Sequence, residues 1–474
     1  VAAALAGLDD RYEVVAGLFA GGREKLRGGA AVAPGLAPAG DAAAGPGLLE
    51  LAAEVGLSRL DAVELRSGPV HEALDAVRAV LRTARAAALV DLSDEPVVGY
   101  RERFLLMSAA LAEGARYVAA DTEVRPQAFA RLQAVPSLGV IGTGKRVGKT
   151  AVSGWLARRL DEGRREAGGV VVVAMGRGGP PEPELIAGGE GLGFADLLAA
   201  SRAGRHAASD CYEDAALAGV TAIGCRRCGG GLAGAPFDDN VRAALPLVES
   251  SGAALAVIEG SGAVVPPVAA DATLCVAGAG QPPEYVTGYL GTYRLLLSDV
   301  LVLTQCELPF AEPGDVEALT AAARAVNPRL ETIATVFRPR PAEPIRGRRV
   351  AFFTTAPRGA APMLERALAE EHGADVVLVS CDLADRSRLA AAVERAAAEA
   401  EVFLTEIKAA AVDVVAEAAA AAGRELVFCD NEPVALAGEL GPAVDRLADL
   451  AAGRFAARRA ERLAGGAGRD APGA

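Results

Sequence analysis

Short runs of β-branched and aliphatic residues alternate with alanine-rich stretches along the whole chain. That pattern predicts parallel strands joined by helical crossovers. Strands are expected first at 13–18, 87–91 and 116–119. A denser series follows at 138–142, 169–175, 220–224, 254–259, 272–277, 299–304 and 331–337. A last set falls near 350–354, 375–380, 401–405 and 426–430, before a helix from about 443. The proline- and arginine-rich stretch RPRPAEPIRGRR (338–349) reads as a linker, and 27–47 as a low-complexity loop. The closing AGGAGRDAPGA is expected to be disordered. The fold class is therefore α/β, with mostly parallel sheets in three domains: an N-terminal α/β domain at 1–135, a central domain at 136–340 and a small C-terminal α/β domain at 341–474. A length of 474 residues suits about three domains.

Ligands of open α/β sheets bind outside the carboxyl ends of the strands. Nearly every conspicuous polar string in this chain falls at such an end. The most informative is LGVIGTGKRVGKTAVSGW (138–155), a buried strand, a glycine-rich loop and a helix start. Backbone N–H groups of Gly142, Thr143, Gly144, Lys145, Arg146, Val147 and Gly148 can close around a polyphosphate, with the helix N-terminus adding positive potential. Lys149 reaches the terminal phosphates and Thr150 is placed to hold Mg2+. The spacing departs from the common phosphate loop, because Thr143 stands at its first glycine position and Gly142 lies one residue earlier. The central domain thus reads as a P-loop NTPase domain. No Asn-Lys-x-Asp string is present, so adenine is expected rather than guanine, and the cofactors are ATP and Mg2+.

Composition narrows the partners. The net charge of −13 argues against nonspecific binding to nucleic acid, so an anionic ligand must be gripped by local basic clusters. No apolar stretch approaches the roughly 18 residues needed to span a membrane. No signal peptide is read, and a few residues are expected to be missing before Val1. Seven dispersed cysteines read as reduced thiols in the cytoplasm. Among 48 basic residues only Lys25, Lys145, Lys149 and Lys408 are lysines. Two of them sit in the phosphate loop, where a compact ammonium is not replaceable by arginine. Lys25 and Lys408, each just past a predicted strand, become candidates beside them.

Further strings at strand ends carry chemistry. Glu259 in Glu259-Gly-Ser-Gly ends a hydrophobic strand and is expected as the second Mg2+ anchor. Arg177, in MGRGGPPEPE, offers a bidentate anion fork on a stiff loop. Arg226 and Arg227 precede three glycines in another anion-binding arrangement. The flanking Cys225 and Cys228, with His206 and Cys211, could make a zinc site, although no second C-x-x-C exists to complete one. Asp91 to Arg103 places acids and arginines together, either to grip a polyanion through Arg101 and Arg103 or to neutralise each other. Thr304-Gln305-Cys306-Glu307 stands where a nucleotide base is often read. In the last region Thr354 to Arg358, Thr405 to Lys408 and Asp430 to Pro433 form another ligand-facing edge.

The loop from Gly142 to Thr150 and the later Glu259-Gly-x-Gly resemble dethiobiotin synthetase. A fuller resemblance, over nearly the whole chain, is to the cyclic 2,3-diphosphoglycerate synthetase family. It rests on DLSDEPVVGYRERF, IGTGKRVGKTAV, AMGRGGPPEPELI, GRHAASDCYEDAALAG, CRRCGGGLAG and DNEPVAL. The resemblance implies ATP-dependent closure of an intramolecular pyrophosphate on 2,3-diphosphoglycerate, a small phosphorylated substrate. Lys149, Lys145, Glu259 and Arg177 would be the catalytic residues, and Arg146, Arg177, Arg226 and Arg227 the substrate-phosphate ligands. A ligase or kinase acting on another phosphorylated metabolite, or a nucleotide-gated switch, would use the same loop. The reading leaves room for a homodimer.

Overall fold

The computed structural model describes Leu8 and residues 11–20, 60–63, 65, 68–189, 192–205, 209–408 and 411–467. Lys25, the 27–47 stretch and His206 lie outside them. The chain divides into two compact units.

The first unit holds residues 1–128, joined by 281–298 and 318–330 from later in the chain. Its strands β1 (Gly17–Phe19) and β2 (Leu60–Ala62) pair in parallel. Helices α1 (Val70–Ala84) and α2 (Tyr100–Ala112) accompany a three-stranded sheet. That sheet comprises β3 (Ala88–Val90), β4 (Arg116–Val118) and β5 (Glu123–Val124). Asp91 ends β3 in a closed network. It accepts from Tyr117 Oη at 2.5 Å, from Arg103 Nη1 at 3.2 Å and from Ser93, while Arg103 Nη2 donates to the Ser93 carbonyl at 2.9 Å. Of the two readings of this string, mutual neutralisation describes Arg103, whereas Arg101 is exposed.

The second unit is built on one thirteen-stranded sheet. Its first part holds β6 (Ser137–Gly142), α3 (Lys149–Glu162), β7 (Val170–Gly176), β8 (Glu184–Ile186), a short α4 (Asp210–Glu213), β9 (Thr221–Cys228), β10 (Asp238–Asp239) and α5 (Val241–Ser250). Then come β11 (Leu255–Glu259), β12 (Ala272–Gly278), β13 (Val300–Thr304) and β14 (Glu331–Pro341). The remainder holds β15 (Arg349–Phe353), α6 (Ala361–His372), β16 (Asp375–Ser380), β17 (Val402–Thr405), β18 (Glu425–Ala437) and α7 (Leu440–Ala467). The order across the sheet is β10-β9-β7-β11-β6-β12-β13-β14-β18-β17-β15-β16, with β8 pairing β9.

Parallel strands covered on both faces need apolar residues at every position, and β7 shows it. Val170, Val172 and Ala174 enter one core with Leu156 and Leu160 of α3 and Val444 and Leu447 of α7. Val171, Val173 and Met175 enter the opposite core with Val241, Ala244 and Val248 of α5. The same alternation recurs in β15, where Ala351 and Phe353 face one core and Val350 and Phe352 the other.

The two parallel stretches of sheet are welded by β14 and β18, antiparallel from Ala334↔Ala437 to Pro341↔Cys429 with a bulge at Ala334/Thr335. This corrects the linker expected at 338–349, because Arg338 to Pro341 are strand. Proline there is compatible with a ladder position whose N–H makes no bond. The last helix also begins earlier than 443 and runs through the first part of the expected disordered tail, to Ala467. Arg159–Asp445, Arg454–Asp299 and Arg458–Asp271 pairs fasten α7 to α3 and to the sheet. The short β2, β5, β8 and β10 were not expected from the pattern.

Candidate active site

A cavity of about 660 Å³ opens at the strand ends of the second unit. Residues 144–151 line it, together with Gly176, Arg177, Asp210, Ser261, Gly262, Gln305, Glu307, Thr355, Glu406, Lys408 and Asn431 among others. Strand-end strings from both parts of the sheet thus meet in one place.

The glycine-rich loop leaves β6 tightly held. A Cβ on Gly142 would lie 3.1 Å from the Gly262 carbonyl, so this loop and the Glu259-Gly-Ser-Gly loop pack backbone to backbone. Thr143 N–H donates to Val276 O at 3.0 Å, and Thr304 Oγ1 donates to Val147 O at 2.7 Å. Arg146 and Gly148 take left-handed backbone at φ 62° and 75°. Gly148 is also confined by Phe337, whose Cζ would lie 2.3 Å from an added Cβ. Lys149 opens α3 and is buried, and Thr150 Oγ1 donates to Asp210 Oδ1 at 3.4 Å.

Around Lys149 the chain buries acids. Glu259 is fully buried, with the Ser153 hydroxyl as a nearby donor and no carboxylate hydrogen bond of ordinary geometry; both oxygens of buried Asp214 likewise lack one. Burial pushes both carboxyls up, the charge of Asp210 adds to the rise, and Lys149 opposes it. Unpartnered buried carboxylates are costly unless something cationic completes them. Asp210, whose charge acts on both, accepts from the Thr150 hydroxyl, and these hard oxygens are the donor type that Mg2+ takes. Among the described residues no three His, Cys, Asp or Glu side chains converge to hold a metal by themselves.

Arg177, Lys145 and Arg146 are exposed along the cavity wall and pair with no carboxylate among the described residues. Arg227 is buried beside them. It donates to Gly229 O at 2.8 Å and to Ser261 O and Oγ at 3.1 and 3.0 Å, so it braces the 259–262 loop. Burial and the neighbouring Arg177 lower its pKa. Arg226 departs from expectation. Strand alternation turns it away from Arg227, and it pairs with Asp238 at 2.8 Å; neither arginine is itself among the cavity-lining residues. The same alternation separates Cys225, fully buried, from exposed Cys228, so the two sulfurs do not converge on one metal.

Across the cavity Glu406 is saturated. It accepts from Thr354 Oγ1 (2.8 Å), Asn431 Nδ2 (2.9 Å), Thr355 N (3.0 Å) and Thr355 Oγ1 (2.7 Å). Lys408 Nζ lies 3.4 Å from Glu213 Oε1, on the turn that follows Asp210. Of the string Thr304 to Glu307, Gln305 and Glu307 line the cavity, whereas Cys306 is buried. The sequence pattern does not single out Asp210, which lines the cavity, or the buried Asp214. Their four-residue spacing in DCYED was the available signal, and only the tertiary structure brings them under Lys149.

Comparison with known proteins decides the family. The cyclic 2,3-diphosphoglycerate synthetase N-terminal, P-loop and C-terminal domain models match residues 57–125, 137–336 and 341–432. A cyclic 2,3-diphosphoglycerate synthetase of Rubrobacter xylanophilus is 53% identical over 367 residues, 77% of this chain and 82% of that protein. The chain belongs to the cyclic 2,3-diphosphoglycerate synthetase family. Relatives of that name from Thermococcus gammatolerans and Methanothermobacter thermautotrophicus are 44% and 37% identical, each over 84% of this chain and over 91% and 87% of their own lengths. No helix among the described residues is long and apolar enough to cross a membrane.

Proposed function

We propose that this synthetase closes the cyclic pyrophosphate of 2,3-diphosphoglycerate at the expense of ATP. The observation that carries the reading is the cavity itself, which a GKT loop lines together with Asp210 and with Lys145, Arg146 and Arg177, three cations that pair with no carboxylate among the described residues. An oxygen of one substrate phosphate attacks the γ-phosphorus, and the bond to the β-phosphate breaks to release ADP. An oxygen of the second substrate phosphate then attacks the inner phosphorus of the new diphosphate. Inorganic phosphate leaves and the ring closes.

Both steps bring anions together, so charge neutralisation is the main task. Backbone N–H groups of 144–148 and Lys149 hold the ATP phosphates, with Lys145 and Arg146 at the outer end, whereas the Thr143 N–H is taken by Val276 O. Arg177, Lys145 and Arg146 grip the substrate phosphates, and Arg227 fixes the Ser261–Gly262 backbone beside them. Thr150, Glu259 and Asp210 would hold Mg2+, which neutralises charge on the bridging oxygens when bound. No general base is required, because phosphate oxygens are already ionised. The N-terminal, central and C-terminal regions act as one synthetase, which the dispersed free cysteines suit to the cytoplasm.

ADP release is expected only when 2,3-diphosphoglycerate is added with Mg-ATP, and to vanish in Lys149→Ala. Steady hydrolysis without that substrate would contradict the reading and favour a nucleotide switch.

A further inference from the structure

Beyond the phosphate loop the cavity changes character. Phe310, Phe337, Ala360, Met363 and Leu364 line it there. Phe337, on β14, lies directly against Gly148. Phe310, in the segment after β13, packs on the core cluster that contains Ala360 and Leu364, at the start of α6. The absent Cβ of Gly359 would touch Pro309 at 3.5 Å, so these two segments are in close register. The rim is polar: Gln305, at φ 58°, and Glu307 stand at the edge. Arg338 clamps both Glu307 oxygens at 2.5 and 2.9 Å and reaches Met363 Sδ at 4.0 Å. The carboxylate at the rim is therefore neutralised by a fixed partner.

We propose that this slot seats the purine ring of the nucleotide against Phe337, Phe310 and the start of α6 in the C-terminal region. The inference rests on the nucleotide reading above and extends it: the C-terminal region completes the nucleotide site. Three features carry it. The apolar lining is continuous with the loop through the Phe337–Gly148 contact, so ring and phosphates can belong to one ligand. Aromatic faces with a sparse polar rim are what a flat heterocycle requires. The Arg338–Glu307 clamp leaves no bare charge at the rim to be desolvated when a ring enters.

The test compares Mg-ATP with inorganic tripolyphosphate and Mg2+ by calorimetry, because tripolyphosphate carries the phosphates without the base. Wild-type protein is expected to bind ATP at least about tenfold more tightly than tripolyphosphate, as base stacking allows. Phe310→Ala and Met363→Glu are each expected to weaken ATP about tenfold or more and to leave tripolyphosphate within about twofold. Unchanged tripolyphosphate binding also certifies that a variant is folded, and Phe310→Ala carries the test if Met363→Glu is not. ATP affinity unaffected by the variants, or equal losses for both ligands, overturns the slot alone. Wild-type protein that binds neither ligand overturns the nucleotide reading and the slot with it.

Discussion

Lys408 Nζ stands 3.4 Å from Glu213 Oε1, and the pair ties the end of β17 to the turn that carries Asp210. Lys408 is one of only four lysines in the chain, and its ammonium is surrounded by the charges of Glu213, Glu406, Asp210 and Asp430. Burial works against the charged lysine, but these carboxylates more than offset it and raise its pKa. Its structural task is to neutralise acids that two strand ends bring together.

Removing that cation leaves Glu213 buried and unpaired. Lys408→Met is expected to lower stability by about 1–3 kcal/mol, less than a fully buried ion pair would, because Lys408 is only half-buried and burial already pushes the Glu213 carboxyl up to about 8. The Lys408→Met/Glu213→Gln double variant should recover at least half of the loss, as coupled neighbours do. Urea unfolding measures both. A single variant as stable as wild type would show that the pair holds nothing.

Glu406 supplies a pH dependence. Burial pushes its carboxyl up, yet Lys408, Asn431 and Thr355 together hold it below the ordinary 4.5. A carboxylate depressed in the folded state contributes stability that is complete above its unfolded value and is lost as the pH falls through the folded one. Glu406→Gln should therefore be less stable at pH 7, by about 1–3 kcal/mol, and should lose less than wild type below about pH 4.5. Identical pH slopes for the two proteins would contradict this.

Gly148 is confined twice, by φ 75° and by the Phe337 ring. Gly148→Ala should reduce turnover about tenfold or more by displacing the loop, and should lower the melting temperature. Adding Phe337→Ala removes the clash but not the left-handed strain of about 1 kcal/mol. The double variant is thus expected to melt above Gly148→Ala and below Phe337→Ala. No recovery would mean that the ring contact is not the obstacle.

Arg177 and Arg226 separate a cavity residue from a surface one. Arg177→Ala is expected to raise KM for the phosphorylated substrate about tenfold or more, through loss of a charge-assisted fork. Arg226→Ala removes only the Asp238 pair, and KM should stay within about twofold. Equal effects in initial-rate measurements would contradict the placement.

Much of this was legible in the sequence for a physical reason. Doubly covered parallel strands are apolar at every position, so β6, β7, β11, β12 and β13 announce themselves. The loop was legible because phosphate binding fixes residue types at fixed offsets. What escaped depends on strand parity and long-range pairing. Arg226 and Arg227 look equivalent in the string CRRC, and only the alternation of β9 divides them. Arg338 to Pro341 read as linker because proline and arginine dominate, yet the partner β18 lies far along the chain and supplies the ladder. Phe310, Phe337 and Met363 carry no motif, and their convergence is a product of the fold alone.

The most direct test of the proposed activity is phosphorus NMR of the protein with Mg-ATP and 2,3-diphosphoglycerate, beside Lys149→Ala. A cyclic pyrophosphate signal should grow with equal amounts of ADP and inorganic phosphate, and be absent from the variant. ATP consumption with no new pyrophosphate signal would contradict the proposed reaction.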